Sequence, residues 1–414
     1  MPMRVSFVTT TGITEGFRHW PEAVQARALV GRGHPVRAVT YFEAGSPIIG
    51  HAKETIDGVA VRRVGFDRWW RAPDMASALA TGKPQVIHLW HLRNALNYDT
   101  AAWAGRHNVP LVFTVVGPFH DPYLVDDRER PYVGRVHYDR LAYTPAGLLR
   151  ALIRERRPQR AWQNYRMHAP LHLADRVIAL SEHEADLLEK MGVPAERIRR
   201  IPLWVDADFI RSIPDAPEPG EAADPVLPVP AGAPLVLFIG QLKVRKGYDL
   251  LARAMPAVLA ACPQARFVFV GQNPAHAAEL KAICDANGSR GALVMIGQVS
   301  EAAKVRLLRR AACLVYPTRY ESFGLPPLEA MVAGCPVIST DIPVVREMIA
   351  SGTNGLLAPP EDPGGLAAAV IRLLREPELR SALVAGGRHV AATRYDEAHL
   401  VTELEAVYRE VCAY

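Results

Sequence analysis

The sequence predicts an α/β protein of two doubly wound domains, each built on a parallel sheet covered by helices. The first observation is that short runs of Val, Ile, Leu and Phe alternate with helical patterns along the chain. Strands that are buried on both faces of a parallel sheet have this continuous apolar composition. The second observation is that residues 213–234 contain seven prolines, which is typical of an extended connector. We therefore expect domains over residues 1–213 and 214–396.

The individual elements follow from these apolar runs and from helical spacing. In the first domain we predict strands at 4–9, 36–41, 86–90, 110–115, 176–180 and 198–203, a helix at 21–32 and a long helical region at 144–172. In the second domain we predict strands at 235–239, 266–270, 293–296, 314–316 and 336–339, with helices at 248–261, 275–286 and 301–312. Apolar residues at helical spacing also predict a final helix at 398–411.

Composition excludes several classes of protein. The 414 residues carry a net charge of +5, which is too small an excess over this length to indicate a nucleic-acid partner. Five scattered cysteines without a CxxC pair favour reduced thiols over disulfides or a zinc site. The N-terminus has a strand pattern, and the longest uncharged stretch, 225–242, contains four prolines, so we expect neither a signal peptide nor a membrane span. These features predict a cytoplasmic protein.

The most informative loop follows the predicted strand at 314–316. Glu321 lies just before a predicted helix, and Glu329 lies about one turn inside that helix. Free backbone amides at a helix start attract an anion such as phosphate. Because two carboxylates would repel phosphate, each is better suited to accept hydrogen bonds from sugar or ribose hydroxyls. The alternative is that Glu321 caps the helix dipole and Glu329 is a solvated helix residue.

A second loop, residues 240–247, follows the predicted strand at 235–239. It places Lys243, Arg245 and Lys246 between two glycines. Three cations at the end of a parallel strand suit a diphosphate that is bound without a metal ion. Lys246 is the first choice because it immediately precedes the next helix, while a solvated basic turn is the alternative. No GxGxxG follows a strand, which argues against a dinucleotide cofactor.

Together the two loops resemble those of the retaining glycosyltransferases of the GT-B fold, specifically glycosyltransferase family four. The resemblance rests on two acids separated by seven residues, Glu321 and Glu329, with Phe-Gly-Leu between them, and it extends through Gly334 and Pro336. It implies two Rossmann-like domains facing across a cleft. The first would bind the acceptor, the second would bind a nucleotide-sugar, and residues 397–414 would form a helix that returns to the first domain.

The resemblance also implies roles for individual residues. Glu329 would hold the ribose, Glu321 the donor sugar, and Lys246 the diphosphate. The residues assigned to donor binding are Gly16, Gln241, Arg245, Lys246, Phe323, Gly324, Leu325 and Glu329. Gln241 stands where the family commonly has arginine, so Arg245 or Lys243 is expected to supply that charge.

The acceptor side departs from the family pattern. The family often has histidine in Thr-x-His after the strand at 110–115, whereas this chain has Val116. His120 and Asp121 follow, and either is a candidate replacement, so the predicted catalytic residues are Glu321, Lys246, His120 and Asp121. Asp206 and Asp208 match a manganese-binding DxD pattern of another glycosyltransferase fold, but two acids alone are a weak metal signal. We expect no metal and no cofactor.

The resemblance implies a retaining, metal-independent transfer of a sugar from a UDP- or GDP-linked donor to an acceptor hydroxyl. The acceptor would be a natural product, a glycolipid or a polysaccharide intermediate, either as a small molecule or linked to a lipid. Two alternatives remain open because a fold does not determine a reaction. One is a nucleotide-sugar epimerase of the same fold, and the other is a non-catalytic module that binds sugar nucleotides.

A basic segment in the first domain has no place in this scheme. Residues 144–172 contain six arginines against one acid, Glu155, beside Leu148, Leu149, Leu152 and Ile153. Such a segment can lie on an anionic membrane that carries a lipid acceptor. A solvated face or a cradle for an acidic acceptor are the alternatives. Peripheral attachment to the inner face of the membrane is therefore the second possibility for location.

Overall fold

The protein consists of two compact units, seen in a computed structural model that describes residues 1–10, 13–14, 18–41, 52–65, 72–92, 94–116, 143–154, 158–217, 225, 227–230 and 232–413. The first unit is drawn from residues 1–116, 143–204 and 397–413, and the second from 205–396. Each unit contains its own sheet. The α/β class with doubly wound parallel sheets is thereby confirmed.

The first unit is built on an eight-stranded sheet in the order β3-β4-β2-β1-β5-β6-β7-β8. Its strands are β1 (Val5–Val8), β2 (Val36–Tyr41), β3 (Lys53–Ile56), β4 (Val59–Val64), β5 (Val86–Trp90), β6 (Leu111–Thr114), β7 (Arg176–Ala179) and β8 (Ile198–Arg200). Its helices before residue 205 are α1 (Pro21–Gly31), α2 (Met75–Gly82), α3 (Leu96–His107), α4 (Pro145–Arg154), α5 (Pro158–Leu173) and α6 (Glu182–Lys190). Every residue of β5 and β6 is buried, as expected for central strands covered on both faces.

One edge of this sheet is not parallel. Strands β3 and β4 form an antiparallel hairpin, while the other described neighbours pair in parallel. The hairpin turn is Asp57-Gly58, and both residues have positive φ, 48° and 80°. Two positive φ values are characteristic of a type I′ turn, for which Asp-Gly is a favoured sequence. The Asp-Gly pair thus marks a hairpin that the apolar runs alone did not predict.

The second unit is built on a six-stranded parallel sheet in the order β11-β10-β9-β12-β13-β14. Its strands are β9 (Leu235–Ile239), β10 (Arg266–Val270), β11 (Leu293–Gly297), β12 (Cys313–Tyr316), β13 (Val337–Thr340) and β14 (Leu356–Ala358). Its helices are α7 (Ala207–Ser212), α8 (Tyr248–Ala261), α9 (Pro274–Ala286), α10 (Glu301–Arg310), α11 (Leu325–Ala333), α12 (Pro343–Met348), α13 (Pro363–Arg375) and α14 (Pro377–Thr393). The register pairs Leu235 with Arg266 and Ile239 with Val270.

The strand order of the second unit determines where a ligand can bind. The chain starts at the centre with β9, proceeds outward to β11, and then crosses to β12 on the other side of β9. Loops that leave β9 and β12 therefore run in opposite directions and open a crevice at the carboxyl edge of the sheet, where such folds bind ligands. The two loops singled out in the sequence leave these two strands.

The last helix, α15 (Glu397–Cys412), belongs to the first unit although it follows the second in sequence. It packs against α1, β5 and β6. Tyr408 Oη is 2.6 Å from His88 Nδ1, and His88 Nε2 is 2.6 Å from Thr114 Oγ1. Burial lowers the pKa of His88 to about 3, so this histidine is neutral in the folded protein.

Side-chain pairs of Glu410, which is partly exposed, and of Glu405, which is buried, also attach α15. Glu410 accepts a hydrogen bond from Arg176, at 2.6 Å, and further bonds from Arg199. Glu405 lies 3.0 Å from Nε2 of His34. In the described ranges, no helix has the length and apolar character needed to cross a bilayer.

Candidate functional site

The predicted residues Lys246 and Glu321 are brought into direct contact at the carboxyl edge of the second sheet. Lys246 Nζ donates to Glu321 Oε2 and, at 2.8 Å, to Tyr316 Oη. Tyr316, the last residue of β12, donates its own hydroxyl proton to the same Glu321 oxygen. The side chains of Lys246 and Glu321 are only 14% and 10% exposed. These three residues form a nearly buried cluster, which we call the Lys246–Glu321 pair with its tyrosine.

Burial and neighbouring charges shift the pKa values of all three groups of this cluster. Burial disfavours the Glu321 carboxylate, but Lys246 and the hydroxyl of Tyr316 outweigh burial, so the pKa of Glu321 is lowered. Burial lowers the pKa of Lys246, and the nearby Arg245 and Lys243 add to that effect, while Glu321 opposes it. Burial and the adjacent carboxylate raise the pKa of Tyr316, which therefore remains a neutral hydrogen-bond donor.

Gly247 allows the two loops to approach each other. It has φ 75°, and a Cβ atom there would lie 1.8 Å from the carbonyl oxygen of Pro317. Only glycine combines a left-handed backbone with the absence of a side chain at such a close contact. Gly247 also begins helix α8, so it fixes the position of Lys246 relative to the loop after β12.

The start of α11 offers a defined pair of backbone donors. Gly324 is the N-cap with φ 98°, and Pro326 and Pro327 occupy the first turn. The first N–H groups of a helix have no partner within it, and proline has no N–H. The free donors of this turn are therefore the amides of Gly324 and Leu325. Phe323 is buried and packs edge-on against Tyr395 at 5.7 Å between ring centroids.

Glu329 is placed on the buried face of α11, not in solvent. Its Oε1 accepts a hydrogen bond of 2.7 Å from Lys304 Nζ, and Lys304 is also 2.7 Å from Glu301. Burial disfavours the charged lysine, but the two carboxylates outweigh burial and raise the pKa of Lys304. Among the described side chains, none donates to the second oxygen of Glu329, which is available to a ligand hydroxyl.

Arg319 connects the basic loop, the start of α8 and the chain after β14 through hydrogen bonds. This role was not predicted from the sequence. Arg319 donates to both carboxylate oxygens of Asp249, at 2.7 and 3.0 Å, and to Glu361 on the chain after β14. It also donates to the carbonyl of Val244 in the basic loop. Although burial opposes its charge, Asp249 and Glu361 raise the pKa of Arg319. The sequence shows Arg319 two residues before Glu321, but it does not show the partners of Arg319, because they are distant along the chain.

The remaining residues of the basic loop differ in their surroundings. The carbonyl of Arg245 accepts from the amide of Arg319, at 2.8 Å, and from the hydroxyl of Thr318, at 3.1 Å. The buried Nε of Arg245 has no hydrogen-bond partner in the described part of the protein. Gln241 is exposed. The basic loop thus holds one buried arginine donor that no described residue accepts from, and the role of Arg245 in place of Gln241 stays a prediction.

Three predicted residues, Gly16, His120 and Asp121, lie outside the described residues. Next to Val116, where the family histidine is absent, the structure places a different histidine. His91 Nδ1 is 3.3 Å from the carbonyl oxygen of Val116, and His91 Nε2 is 2.9 Å from Glu22 Oε1. Burial opposes protonation, but Glu22 outweighs burial and raises the pKa of His91. His91 also has φ 62°, which is uncommon for a residue other than glycine.

The two aspartates of the DxD pattern have local structural roles. Asp206 caps α7 by accepting from the amide of Phe209 at 3.0 Å, and Asp208 pairs with Arg211 at 3.1 Å. Across the described ranges, no group of three or more His, Cys, Asp or Glu side chains could hold a metal ion.

The arrangement in the second unit is suited to a ligand with both anionic groups and hydroxyls. Lysine has three ammonium donors, and Lys246 uses two of them on Glu321 and Tyr316. The third donor and the free amides of Gly324 and Leu325 are available to phosphate oxygens. The second oxygens of Glu321 and Glu329 are acceptors for hydroxyl groups.

Comparison with known families accounts for most of the chain. Residues 24–209 match the family described as Glycosyltransferase Family 4. Residues 221–390 match the family described as Glycosyl transferases group 1. The first match ends before the connector and the second begins within it, and together they include β9 to β14 and most of the first unit.

Individual relatives are more distant. The chain is 28% identical over 239 residues to alpha-D-kanosaminyltransferase of Streptomyces kanamyceticus, covering 57% of this chain and 60% of the relative. It is 34% identical over 178 residues to phosphatidyl-myo-inositol mannosyltransferase of Mycolicibacterium smegmatis, covering 42% and 45%. The chain thus spans about half the length of these curated relatives. The solved structure of Anabaena HepE in complex with UDP-glucose has a TM-score of 0.70 at 15% identity, covering 99% of this chain and 100% of that one, which shows the GT-B fold.

Proposed function

This chain belongs to glycosyltransferase family four, and from that premise we propose that it transfers a sugar from a nucleoside-diphosphate donor, UDP- or GDP-linked, to an acceptor hydroxyl. The observation that carries the proposal is the nearly buried Lys246–Glu321 pair with its tyrosine, beside the free amides of α11. A cation and two amides are suited to phosphates, and the adjacent carboxylates are suited to hydroxyls.

In this proposal each group of the second unit has one part of the donor as its partner. The diphosphate is bound by Lys246, by the amides of Gly324 and Leu325, and by Arg245, whose Nε is buried and unpartnered among the described residues. The ribose hydroxyls are bound by Glu329, whose position is fixed by Lys304. The donor sugar is bound by Glu321.

The chemical step follows from where charge develops. The bond between the anomeric carbon and the bridging phosphate oxygen breaks, and the electron pair stays on the nucleoside diphosphate. Lys246 and the amides at the mouth of α11 stabilise that negative charge, and in this proposal they do so without a metal ion. The acceptor hydroxyl forms the new bond to the anomeric carbon on the same face, and its proton passes to the departing phosphate.

The acceptor side of the proposal belongs to the first domain. His120 and Asp121 remain the proposed groups from the sequence, and His91 is added because it lies at the carbonyl of Val116. The name of one relative contains a phosphatidyl lipid, and the name of the other contains no acceptor. We therefore retain a small molecule and a lipid-linked molecule as acceptor classes.

The test is a donor screen followed by a turnover assay. UDP, GDP and their hexose conjugates are each added to the protein, and the melting temperature is measured, since a ligand of the folded state raises it. The donor that binds is then incubated with an acceptor panel in the presence and absence of EDTA. We expect product to form in the presence of EDTA. We also expect NMR to show that the product has the same anomeric configuration, α or β, as the donor.

Other outcomes would contradict the proposal. Conversion of the donor to an epimer without any acceptor would identify an epimerase. Tight donor binding without turnover over the whole panel would identify a binding module. Complete and reversible loss of transfer with EDTA would contradict the metal-free step, and binding of none of the nucleotides would contradict the site itself.

A further inference from the structure

Helices α4 and α5 carry an exposed apolar surface that the fold does not use. In the described part of the chain, the exposed large hydrophobic residues other than Met1 are Leu149, Leu152, Ile153, Trp162 and Leu173, all on these two helices. Leu149 is 61% exposed and Ile153 is 80% exposed. Isolated exposed hydrophobic residues are ordinary, but a concentration of them marks an interaction surface.

The spacing shows that the part of this surface on α4 is a single stripe. Leu149, Leu152 and Ile153 are separated by three and four residues, so they share one face of the helix. A different stripe makes the contact with α5, where Ala151 and Ala161 are buried and Leu148 and Tyr165 pack against them. The helix is therefore held in place by one face and presents the other to its surroundings.

The second component of the surface is positive charge. Arg150, Arg154 and Arg160 are exposed on the same two helices. The only acid between residues 144 and 172 is Glu155. A surface with several arginines and almost no acid attracts an anionic partner, and the exposed leucine, isoleucine and tryptophan suit its apolar layer.

We propose that this α4–α5 face, defined by Leu149, Leu152, Ile153, Arg150 and Arg154, binds the surface of an anionic phospholipid bilayer. The apolar stripe enters the acyl boundary while the arginines contact lipid phosphates. Trp162 on α5 is 43% exposed and stacks on Tyr165 at 5.7 Å between ring centroids. Tryptophan is enriched at the level of lipid headgroups, because one end of its ring is apolar and the other is polar.

A bilayer fits this face better than a protein partner does. Exposed arginines lie beside the apolar stripe on α4 and continue on α5, and charge complementarity requires a partner that is anionic over an extended area. Attachment does not depend on the proposed transfer reaction. The consequence that the acceptor is lipid-borne does depend on it, so attachment is measured separately from transfer.

The experiment is vesicle flotation of the full chain. One set of vesicles contains phosphatidylcholine alone, and the other contains equal amounts of phosphatidylcholine and phosphatidylglycerol. We expect the protein to float with the anionic vesicles and not with the neutral ones. The double variant Leu149→Ser with Ile153→Ser should lose flotation, and Arg150→Gln with Arg154→Gln should bind anionic vesicles about 30-fold more weakly.

A matched control separates a local face from general charge attraction. Arg310→Gln with Arg380→Gln removes the same charge from exposed positions of the second unit. This variant should float like the unmodified protein, and an equal loss of binding would overturn the proposal. All variants are first checked for an unchanged melting temperature and an unchanged shift with the donor nucleotide, so a folding defect or a failed donor site is recognised separately.

Two further results would overturn the proposal. One is the absence of flotation with either type of vesicle. The other is a concentration-dependent dimer, measured by light scattering, that the Leu149→Ser and Ile153→Ser double variant abolishes, since this would assign the face to a second copy of the chain.

Discussion

Gly247 sets the distance between the basic loop and the loop after β12. Its backbone is left-handed, and the position that a Cβ would take is already occupied by the carbonyl of Pro317. Any larger residue must move either the helix start at α8 or the segment that leads to Glu321. The Lys246–Glu321 pair therefore depends on one glycine that itself contacts no ligand in our proposal.

Substitution of this glycine tests that dependence. Gly247→Ala should destabilise the protein by at least about 3 kcal/mol and weaken nucleotide binding, because both backbone strain and a steric clash arise. Gly288→Ala is the matched control, since Gly288 has the same φ of 75° but no atom within 4 Å of the place that a Cβ would take. The control should lose only about 1–2 kcal/mol and keep its nucleotide affinity. Urea unfolding and nucleotide titration measure both quantities, and equal behaviour of the two variants would contradict the argument.

Substitution of Glu329 and substitution of Glu321 should have different effects when nucleotide binding and sugar transfer are measured independently. Glu329→Ala should weaken binding of the nucleoside diphosphate, because its free oxygen is proposed to hold the ribose. Glu321→Ala should chiefly slow transfer, because its proposed partner is the sugar. Glu378→Ala, an exposed acid on α14, is the control. Calorimetric titration and initial rates are the measurements, and two unchanged variants would refute the assignment.

Sequence alone could place Glu321, Lys246 and Gly324 in the loops that follow two strands of the second sheet, because apolar runs mark where those strands end. It could not identify Tyr316 or Arg319 as their supports. Tyr316 was visible only as a strand residue, and the partners of Arg319 lie 70 and 42 residues away. Such contacts depend on which strands become neighbours, and local patterns do not contain that information.

At the scale of elements, the carboxylate of Glu410 makes α15 sensitive to acid. Hydrogen bonds from Arg176 and Arg199 lower the pKa of Glu410 from 4.5 to about 2. A folded-state pKa below the unfolded one means that the pair stabilises the protein above pH 4.5 and that this contribution is lost as the pH falls toward 2.

Glu410→Gln should therefore lower the free energy of unfolding by about 1 kcal/mol at pH 7, a modest value because the pair is partly exposed. The difference from the unmodified protein should shrink as the pH falls from 4.5 toward 2. Glu403→Gln on the same helix is the control, and it should show a smaller difference at neutral pH. Chemical unfolding at several pH values measures this, and a difference independent of pH would contradict the assignment.

Element boundaries were predictable where apolar runs are uninterrupted. Strands β9 and β10 begin and end at the predicted residues, since all five residues of β9 are apolar and buried. Strand β8 ends at Arg200 although we predicted it to extend to residue 203. Pro202 has no N–H group to continue the hydrogen bonds of the strand, so the apolar pattern extends further along the chain than the strand does. The β3–β4 hairpin has no strong apolar run, and the sequence feature that indicates it is the Asp57-Gly58 turn.

At the scale of the whole molecule, nucleotide binding should stabilise the second unit. A nucleoside diphosphate at 100 times its dissociation constant should add about 2.7 kcal/mol to the stability of the folded state. Hydrogen exchange should show protection in the loops after β9 and β12, and the exchange of the eight-stranded sheet is the internal control. Protection that appears first in β5 and β6 would contradict the location of the site.

The position of α15 in the first unit has a consequence for synthesis. The ribosome synthesises residues 205–396 before α15. All of the second unit has therefore been synthesised while the first unit still lacks the helix that contacts His88. During synthesis the first unit therefore has the surface over β5 and β6 uncovered until α15 is made. The second unit can reach its native state before the first unit can.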